Sequence, residues 1–462
     1  MPPRTPVDPT TTDPNARAGF RTPDAPAAEL LDACVRCGAC VQSCPTYQEL
    51  GVEPDDPRGR VFLIKAARDG QLSIDDTFEQ HIYACLDCRA CETACPMGVQ
   101  VGRLIEEARG EIRAVRPARG VAGAAMRTAL NGVLPHARRM EALTRLLWLG
   151  RRTGAVRLAR PLLPATLRAA ERHLPTPAWR SARDRLRGGV DARGEAQGTV
   201  ALLHGCVMNT LFAGVTVDTA EVLAANGWNV TVPPAQTCCG ALHVHEGERD
   251  AGKELARRNV AAFEATGADA YLVNAAGCGS AFKEYGTLLR NDPEWAERAA
   301  AFAAKAVDVH EFLERTGWTP PRGEVRARVV YQDACHLAHA QGIRTQPRAL
   351  LRSVPGVELV EMPDPDRCCG SAGIYNLTHP EVAGSLLRRK VDDVPDDVDT
   401  LATGNPGCHL QLVRGLSEAG RTVRVRHVMS ILAEAYRLVP SEDGATGRTR
   451  TEAATKRPAV RA

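Results

Sequence analysis

The sequence predicts an α+β multidomain protein, in which a helical domain with two metal-binding cysteine runs precedes two repeated α/β modules. Two cysteine runs near the start of the chain share one spacing. A different set of four cysteines occurs twice in the second half, each time beside short β-branched stretches. A chain of 462 residues is long enough for several such domains.

The two runs, Cys34–Pro45 and Cys85–Pro96, both have the spacing C-x2-C-x2-C-x3-C-P. Bacterial ferredoxins bind 4Fe–4S clusters with this spacing, and the fourth cysteine ligates the other cluster. Structural zinc sites instead group their ligands as separated pairs, which makes zinc the weaker interpretation. We therefore expect a ferredoxin-type domain with two 4Fe–4S clusters. The predicted ligand sets are crossed: Cys34, Cys37, Cys40 and Cys95 for one cluster, and Cys85, Cys88, Cys91 and Cys44 for the other.

Helices are predicted to fill the rest of this domain, which we place at residues 25–116. Asp56 followed by Pro57 is a typical helix start, because Asp caps free N–H groups and Pro fits the first helical position. The amphipathic stretch that follows ends at Gly70, a usual helix terminator. Such helices keep water from the clusters, which is one way in which a protein sets their reduction potential. The other predicted helices are Ala27–Ala33, Asp76–Ala84 and Gly102–Val115.

The ends of the chain and its cysteine usage limit where the protein is expected to act. Residues 1–24 and 439–462 are polar and aperiodic, so we predict a disordered leader and a disordered tail. The leader lacks the apolar stretch of a signal peptide, and no apolar run approaches the roughly 20 residues that span a bilayer. Clustered cysteines in a chain of this size indicate metal binding in a reducing compartment. The protein is therefore predicted to be cytoplasmic, either free or attached to the inner face of the cell membrane.

Residues 117–195 differ from both neighbouring regions and are predicted to form a basic helical linker. They contain no cysteine, many arginines and few acidic residues. Leucine recurs at helical spacing with arginine between, which indicates amphipathic helices. We expect the leucine face to pack on the rest of the protein; the alternative is a basic amphipathic surface that binds anionic lipid or a partner subunit. Nucleic acid is not expected as a partner, because aromatic side chains for stacking are scarce here.

A set of four cysteines occurs twice in the second half of the chain. Each cysteine of the second set follows its counterpart by 129 or 130 residues, and the last cysteine follows the Cys-Cys pair by 39 residues in both copies. Strand, cysteine-bearing loop and helix follow one another, as in α/β units, whose ligands gather at the carboxyl ends of strands. We predict Cys-Cys-Gly modules at residues 196–325 and 326–438. Their sites are formed by Cys206, Cys238, Cys239 and Cys278 and by Cys335, Cys368, Cys369 and Cys408.

Glycine follows the Cys-Cys pair in both modules, at Gly240 and Gly370. Neighbouring side chains on an extended backbone point in opposite directions, so two adjacent cysteines reach one site only through a tight turn, which glycine permits. Four convergent thiols disfavour the interpretation as unreactive buried cysteines. Both an iron–sulfur cluster and a tetrahedral zinc ion remain open for these modules.

Six histidines stand close in sequence to the module cysteines, where a neutral imidazole can donate to a cluster sulfur or carry a proton. We expect most of them to be supporting or surface residues, and we predict no catalytic residue. No G-x-G-x-x-G motif follows a predicted strand, so a dinucleotide-binding site is not indicated. The chain is therefore predicted to relay electrons. The six histidines are His204, His243, His245, His336, His339 and His409.

Two ferredoxin-type runs followed by two Cys-Cys-Gly modules resemble the iron–sulfur subunits of bacterial glycolate oxidases. The wider family includes the Cys-Cys-Gly subunits of heterodisulfide reductase and lactate-utilisation proteins. The resemblance covers most of residues 30–435 outside the basic linker. Heterodisulfide reductase modules end in C-x-x-C, whereas Ala281 and Gln411 stand at those positions here, so a fifth thiolate is missing from both modules. The stretches that carry the resemblance are DPRGRVFLIKAARDG, NAAGCGSAFKEYG, DACHLAHAQGIRTQPRALL, RCCGSAGIYNL and NPGCHLQL.

This family resemblance implies an FAD-containing partner subunit that oxidises glycolate or D-lactate to the 2-oxo acid and passes electrons to the clusters. It also implies a quinone-type acceptor in the membrane, and it favours iron–sulfur clusters over zinc in the modules. Three alternative functions are kept: a heterodisulfide-reductase-like disulfide or quinone reductase, the iron–sulfur subunit of a D-lactate dehydrogenase, and a zinc-stabilised binding protein.

Overall fold

The computed structural model describes residues 19–117, 120–162, 168 and 171–438. In its first part, helices surround the two cysteine runs and meet in one apolar core that includes Ile64, Phe78 and Leu104. The helices are α1 (Ala28–Asp32), α2 (Pro45–Leu50), α3 (Pro57–Arg68), α4 (Asp76–Tyr83), α5 (Ala90–Thr93) and α6 (Val101–Val115). A short 3-10 helix, Glu53–Asp55, lies between α2 and α3.

The start of α3 has the cap that the sequence predicts. The Asp56 carboxylate accepts a hydrogen bond of 2.6 Å from the backbone N–H of Gly59, and Pro57 occupies the first helical position. Asp75 caps α4 in the same way, through the N–H of Phe78 at 2.9 Å. The four helices predicted for this domain are confirmed, with ends that differ by one or two residues.

Residues 19–24, the described part of the predicted leader, are bound to the rest of the protein. The backbone N–H of Thr22 donates to the Glu111 carboxylate of α6 at 3.0 Å. The Asp24 carboxylate lies 2.5 Å from the Lys253 ammonium and 3.4 Å from Arg249. The prediction of disorder is therefore wrong for residues 19–24, because paired charges hold this stretch in place. Residues 1–18 and the predicted tail, 439–462, lie outside the described residues.

The described part of the predicted linker is mainly helical up to residue 162 and mainly irregular over residues 174–195, and its longest helix exposes several leucines. Glu141 and Thr144 are the buried residues of its longest helix, whereas Leu143, Leu146 and Leu149 are exposed. The expectation that the leucines pack on the rest of the protein is wrong for these three, because Glu141 is held inside by a pair with Arg183 at 2.8 Å. It holds for Leu130 and Leu186, which are buried. The elements are α7 (Gly120–Arg127), a π-helical stretch (Thr128–Val133), α8 (Ala137–Thr153), α9 (Ala155–Ala159), a 3-10 helix (Arg160–Leu162) and α10 (Ala182–Arg185).

Two four-stranded parallel sheets follow, and they have the same order, β2-β1-β3-β4 and β6-β5-β7-β8. The register repeats as well: Val200 lies opposite Val230, and its counterpart Val329 lies opposite Leu359. This confirms the predicted pair of α/β modules. The strands are β1 (Gly198–Leu202), β2 (Trp228–Thr231), β3 (Ala270–Val273) and β4 (Ala306–Asp308), then β5 (Ala327–Tyr331), β6 (Val357–Val360), β7 (Thr400–Thr403) and β8 (Arg424–His427).

Helices cover the faces of both sheets, as parallel sheets require. The first module contains α11 (Val207–Thr210), α12 (Ala213–Ala225), α13 (Ala241–His245), α14 (Arg249–Glu264), α15 (Ala276–Lys283), α16 (Tyr285–Leu288), α17 (Ala296–Lys305) and α18 (Val309–Thr316). The second module contains α19 (Cys335–Ala338), α20 (Thr345–Arg352), α21 (Tyr375–Thr378), α22 (Pro380–Asp392), α23 (Pro406–Glu418) and α24 (Val428–Arg437).

The two modules share one apolar core, to which strands of both sheets contribute. Helix α12 packs along α24, and Asn226 donates a hydrogen bond of 3.1 Å to the Tyr436 hydroxyl across this contact. His427, at the end of β8, lies 2.9 Å from the backbone carbonyl oxygen of Asn274, just after β3. The contact between His427 and Asn274 holds the carboxyl ends of the two sheets close together. Among the residues that the structure describes, no helix is long and apolar enough to cross a membrane.

Candidate functional site

The cysteines of the first domain form two groups, each with members from both runs. We call Cys34, Cys37, Cys40 and Cys95 the outer ring; they line one small cavity, together with Cys91. We call Cys44, Cys85, Cys88 and Cys91 the inner ring; they line a second cavity on the other side of Cys91. The structure thus brings together both of the crossed sets that the spacing predicts.

The two runs reach this arrangement through the same backbone conformation. Arg36 and Asp87 occupy equivalent positions in the two runs and have positive φ angles of 59° and 53°. Gly38 and Arg89, two positions later, also have positive φ angles, of 83° and 62°. Left-handed backbone is costly for residues other than glycine, and it persists where the surrounding structure demands it. Here it turns the chain so that successive cysteines face one point.

The outer ring lies at the protein surface, whereas the inner ring lies inside. Cys37 is exposed, and Cys44 and Cys88 are buried. Three large apolar side chains around the outer ring are also exposed: Val35, Phe62 and Met97. Burial of a cluster and access to it are two of the ways in which a protein tunes electron transfer.

A buried arginine that the sequence reasoning missed stands beside the inner ring. Arg60 is 1 % exposed, and its Nη1 lies 3.8 Å from the Sγ of Cys44 and 3.1 Å from the Thr46 hydroxyl. Burial lowers the pKa of Arg60, but the charges of Cys85 and Cys44 outweigh this and raise it. A buried cation next to four thiols suits an anionic iron–sulfur centre, since it offsets the negative charge of thiolate ligands. The inner ring therefore fits the group that its spacing predicts.

In each module the four cysteine side chains form a continuous series in the same order. The Sγ atoms of Cys239 and Cys278 lie 3.1 Å apart, and Cys238 links Cys239 to Cys206. In the second module, interactions with the neighbouring thiols of Cys368 and Cys408 lower the pKa of Cys369. The second series is Cys335, Cys368, Cys369 and Cys408, in which each thiol is next to the following one.

The surroundings of the module cysteines change the pKa of their thiols, which a metal would bind as thiolates. The hydrogen bond with Cys369 and burial raise the pKa of Cys408, and the hydrogen bond with Cys238 and burial do the same for Cys206. Metals bind the deprotonated form, so ligation releases protons that this environment otherwise retains. The donor set of four sulfurs fits an iron–sulfur cluster and also a tetrahedral zinc ion.

Glycine has the predicted role after each Cys-Cys pair. The φ angles of Gly240 and Gly370 are 83° and 82°. A Cβ atom on Gly370 would lie 2.6 Å from the backbone oxygen of Ala383, and one on Gly240 would lie 3.3 Å from that of Gly252. The chain therefore turns in left-handed backbone at both positions, packed against α14 in the first module and α22 in the second.

The two module sites face each other across one cavity of about 510 Å³. All eight module cysteines line this cavity, and so does Cys85 of the inner ring. The amino ends of α15 and α23, which carry Cys278 and Cys408, meet here, since the N–H of Ala276 donates to the carbonyl oxygen of Gly404 at 3.1 Å. The module cysteines thus gather at the carboxyl ends of the strands, as predicted.

The inner ring adjoins the second module directly. Cys88 and Leu86 pack with Cys368 and Tyr375 in one buried cluster. The Tyr375 hydroxyl donates a hydrogen bond of 3.1 Å to the carbonyl oxygen of Ala84, just before the second run. The cysteine sites therefore form a connected series from the outer ring, through the inner ring, to the shared module cavity.

Of the six histidines near the module cysteines, two lie at the junction of all three domains. The Nδ1 of His245 is 2.9 Å from Asp87 and 3.0 Å from Glu106, and the Nε2 of His336 is 2.9 Å from the carbonyl oxygen of Asp87. Asp87 was not identified from the sequence; its place inside the second run is the signal that could have found it. The other four histidines contact backbone or neighbouring side chains: His204, His243, His339 and His409.

Comparison with known families divides the chain in the same way. A family described as "4Fe-4S dicluster domain" matches residues 30–99. A family described as "Cysteine-rich domain" matches residues 200–283 and 329–413, and one described as "Glycolate oxidase iron-sulfur subunit, linker region" matches residues 122–174. The cofactors of the chain therefore include iron–sulfur clusters, and the dicluster domain is the part of the chain that matches a 4Fe–4S family.

Similar proteins extend over nearly the whole chain. The "Probable glycolate oxidase iron-sulfur subunit" of Bacillus subtilis is 41% identical over 419 residues, which cover 88% of this chain and 94% of that protein. The "Glycolate oxidase iron-sulfur subunit" of Escherichia coli is 35% identical over 88% of this chain and 95% of that protein. "Lactate utilization protein A" of Oceanobacillus iheyensis is 31% identical over 50% of this chain and 96% of that protein. With its dicluster domain, linker and two cysteine-rich modules, the chain belongs to the family of glycolate oxidase iron–sulfur subunits.

Proposed function

We propose that this chain is the electron-transfer subunit of a flavin-dependent 2-hydroxy acid oxidoreductase, with glycolate as the substrate of the complex. In this proposal an FAD-containing partner subunit oxidises the hydroxy acid, and the chain passes the electrons toward a quinone-type acceptor on the cytoplasmic side of a membrane. The observation that carries the proposal is the connected series of cysteine sites between an exposed ring and an internal cavity.

The ligands are assigned as follows. We propose that the outer ring and the inner ring each hold one 4Fe–4S cluster and that each module series holds a further iron–sulfur centre. When bound, these groups supply one-electron donors and acceptors of tunable potential. The residues of the chain fix the order of the sites, since the inner ring adjoins both the outer ring, through Cys91, and the second module, through Cys368.

Two buried arginines lie close to the inner ring, where their positive charge would stabilise negative charge added on reduction. Arg60 lies beside Cys44, and the Nη2 of Arg109 donates a hydrogen bond of 2.6 Å to the carbonyl oxygen of Cys85. Fixed positive charge in a dry environment stabilises the reduced state of a neighbouring site. We therefore propose that the inner ring receives electrons readily from the outer ring.

The outer ring is the proposed entry point for electrons. Cys37 is exposed, and Val35, Phe62 and Met97 form an apolar surface around it. Exposed apolar residues at such a position support docking of a partner protein. An aspartate at Val35 should weaken the binding of the flavoprotein and slow electron entry while leaving the iron content unchanged.

A second candidate function is favoured by the cavity between the modules. Its 510 Å³ volume and eight cysteines would suit a site at which a disulfide or a quinone is reduced. This alternative predicts that the isolated chain, reduced by a dye, reduces an organic disulfide at a rate that Cys368→Ser abolishes. The relay proposal predicts no such activity with disulfides.

Reconstitution of the complex tests the proposal. The holoprotein, added to its flavoprotein partner, should restore electron flow from glycolate to a quinone. Cys88→Ser should stop that flow while substrate still reduces the flavin, because it removes an inner-ring thiol and leaves the partner intact. Unchanged turnover with Cys88→Ser would contradict the proposal. Comparison of glycolate with D-lactate as substrate would decide between the two hydroxy acids.

A further inference from the structure

Helix α8 carries its apolar residues on the outside of the protein. Leu143, Leu146 and Leu149 are 50%, 65% and 47% exposed, and they share one face of the helix with Ala142. Leu158, on the following helix α9, is 81% exposed. We call these four leucines the leucine face. A surface helix normally turns such residues toward the core, so this orientation requires a reason.

The inner side of α8 carries paired charges beside the partly buried Met140, Leu147 and Trp148. Glu141 is 4% exposed, and its carboxylate accepts hydrogen bonds from Arg183 at 2.8 Å and from the Asn209 amide at 3.0 Å. Arg151 lies 3.0 Å from the Glu171 carboxylate, and Arg145 lies 2.7 Å from that of Asp184. The contacts of the buried Glu141 fix which side of the helix faces inward, so the leucine face is held outward by specific contacts.

The arginines of this segment fall into two groups. Arg145 and Arg151 pair with acids, as described above. A second group, Arg138, Arg139, Arg152 and Arg157, is exposed and stands at the edges of the leucine face. Between residues 137 and 160 the one acidic residue is the buried Glu141. The outward surface of α8 and α9 therefore combines leucines with positive charge and has no exposed acid within these residues.

We propose that the leucine face and its flanking arginines bind the surface of an anionic lipid bilayer. A helix with aliphatic residues on one side and arginines at their edges lies in the interface, with the leucines among the acyl chains and the guanidinium groups at the phosphates. Each basic residue near an anionic surface adds to the attraction between the protein and the bilayer. Charge complementarity with lipid phosphates thus selects a bilayer as the occupant. This inference does not depend on the proposed function.

Sedimentation with lipid vesicles tests this proposal on the full-length holoprotein. The protein should bind vesicles of phosphatidylcholine mixed equally with phosphatidylglycerol, and not vesicles of phosphatidylcholine alone. Binding should weaken as salt is added, because salt screens the arginines. Leu146→Ser and Leu149→Ser should each weaken binding about tenfold, since each removes one aliphatic side chain that would be buried among the acyl chains. Arg138→Gln together with Arg152→Gln should weaken binding and reduce its dependence on salt.

Leu72→Ser is the matched control, because Leu72 is an exposed leucine of the first domain and lies outside the leucine face. It should bind the mixed vesicles as the parent does. Iron content and melting temperature measured for each variant report on folding. Failure of the parent protein to bind the mixed vesicles would overturn the proposal, as would full binding by the Leu146 and Leu149 variants. If these variants lost affinity for the flavoprotein in the absence of vesicles and the parent did not bind lipid, the face would be a protein-binding surface instead.

Discussion

The Nδ1 of His245 lies 2.9 Å from a carboxylate oxygen of Asp87, and this pair joins the first module to the second cysteine run. Burial lowers the pKa of His245, but the carboxylates of Asp87 and Glu106 outweigh this effect and raise it to about 10. Burial raises the pKa of Asp87, yet the hydrogen bond from His245 and the charge of Arg89 hold it well below its usual value. A protonated His245 is thus part of the contact between domains.

The stability of the protein should therefore depend on His245 in a pH-dependent way. A histidine whose pKa is raised on folding contributes stability that is fully present below its usual value of 6.5 and is lost as pH rises through about 10. His245→Asn should lower the melting temperature clearly at about pH 6 and much less at about pH 10. Scanning calorimetry of the parent and variant holoproteins under anaerobic conditions measures this. An equal deficit at both pH values would show that His245 acts only through packing.

The proposed crossed ligation in the dicluster domain can be tested by substituting the fourth cysteine of each run. Cys95→Ser should alter the cluster of the outer ring, whose other proposed ligands come from the first run. Cys44→Ser should alter the cluster of the inner ring, whose other proposed ligands come from the second run. Paramagnetic resonance of the reduced protein distinguishes the two clusters. If each substitution damaged the cluster of its own run, the crossed assignment would be wrong.

The charge of Arg60 should set the potential of the inner ring. Arg60→Met removes a cation 3.8 Å from Cys44 and should lower the reduction potential of this cluster by on the order of 100 mV, from Coulomb's law at an effective dielectric constant near 20. Arg60→Lys, which keeps the charge, should restore most of the difference. Redox titration followed by paramagnetic resonance is the measurement. Arg68→Met, at the end of α3, serves as the control, and a potential unchanged by Arg60→Met would refute this role.

The turn after the second Cys-Cys pair should tolerate substitution less well than its counterpart. Gly370→Ala places a Cβ 2.6 Å from the backbone oxygen of Ala383, whereas Gly240→Ala places one 3.3 Å from that of Gly252. Both substitutions also put alanine in left-handed backbone, which costs about 1–2 kcal/mol. Gly370→Ala should therefore cause the larger loss of melting temperature and of metal from its module. Equal losses would mean that backbone conformation alone decides the effect.

Cysteine spacing was enough to predict the two rings and the two modules, because metal ligation forces particular residues into fixed positions. The repeat at 129 or 130 residues likewise predicted two similar sheets, and their order and register agree. The role of Gly240 and Gly370 could also be predicted from the sequence, because few residues other than glycine adopt the left-handed backbone that the turn needs.

Other features depend on contacts between distant parts of the chain, which no local pattern reveals. Asp87 meets His245 and His336 only after three domains have packed together. The sequence pattern of the amphipathic helix does not distinguish Arg60 from its other arginines, yet Arg60 lies buried beside Cys44. The orientation of α8 was predicted wrongly, because the partner that draws Glu141 inward, Arg183, is 42 residues away.

Reduction of the clusters by substrate tests most directly the central claim that the chain relays electrons and does not itself oxidise the hydroxy acid. Visible absorbance of the anaerobic, oxidised holoprotein would be followed after mixing with glycolate, with and without the FAD-containing partner. The account predicts that the iron–sulfur absorbance bleaches only when the partner is present. Bleaching by glycolate in the absence of any flavoprotein would contradict it.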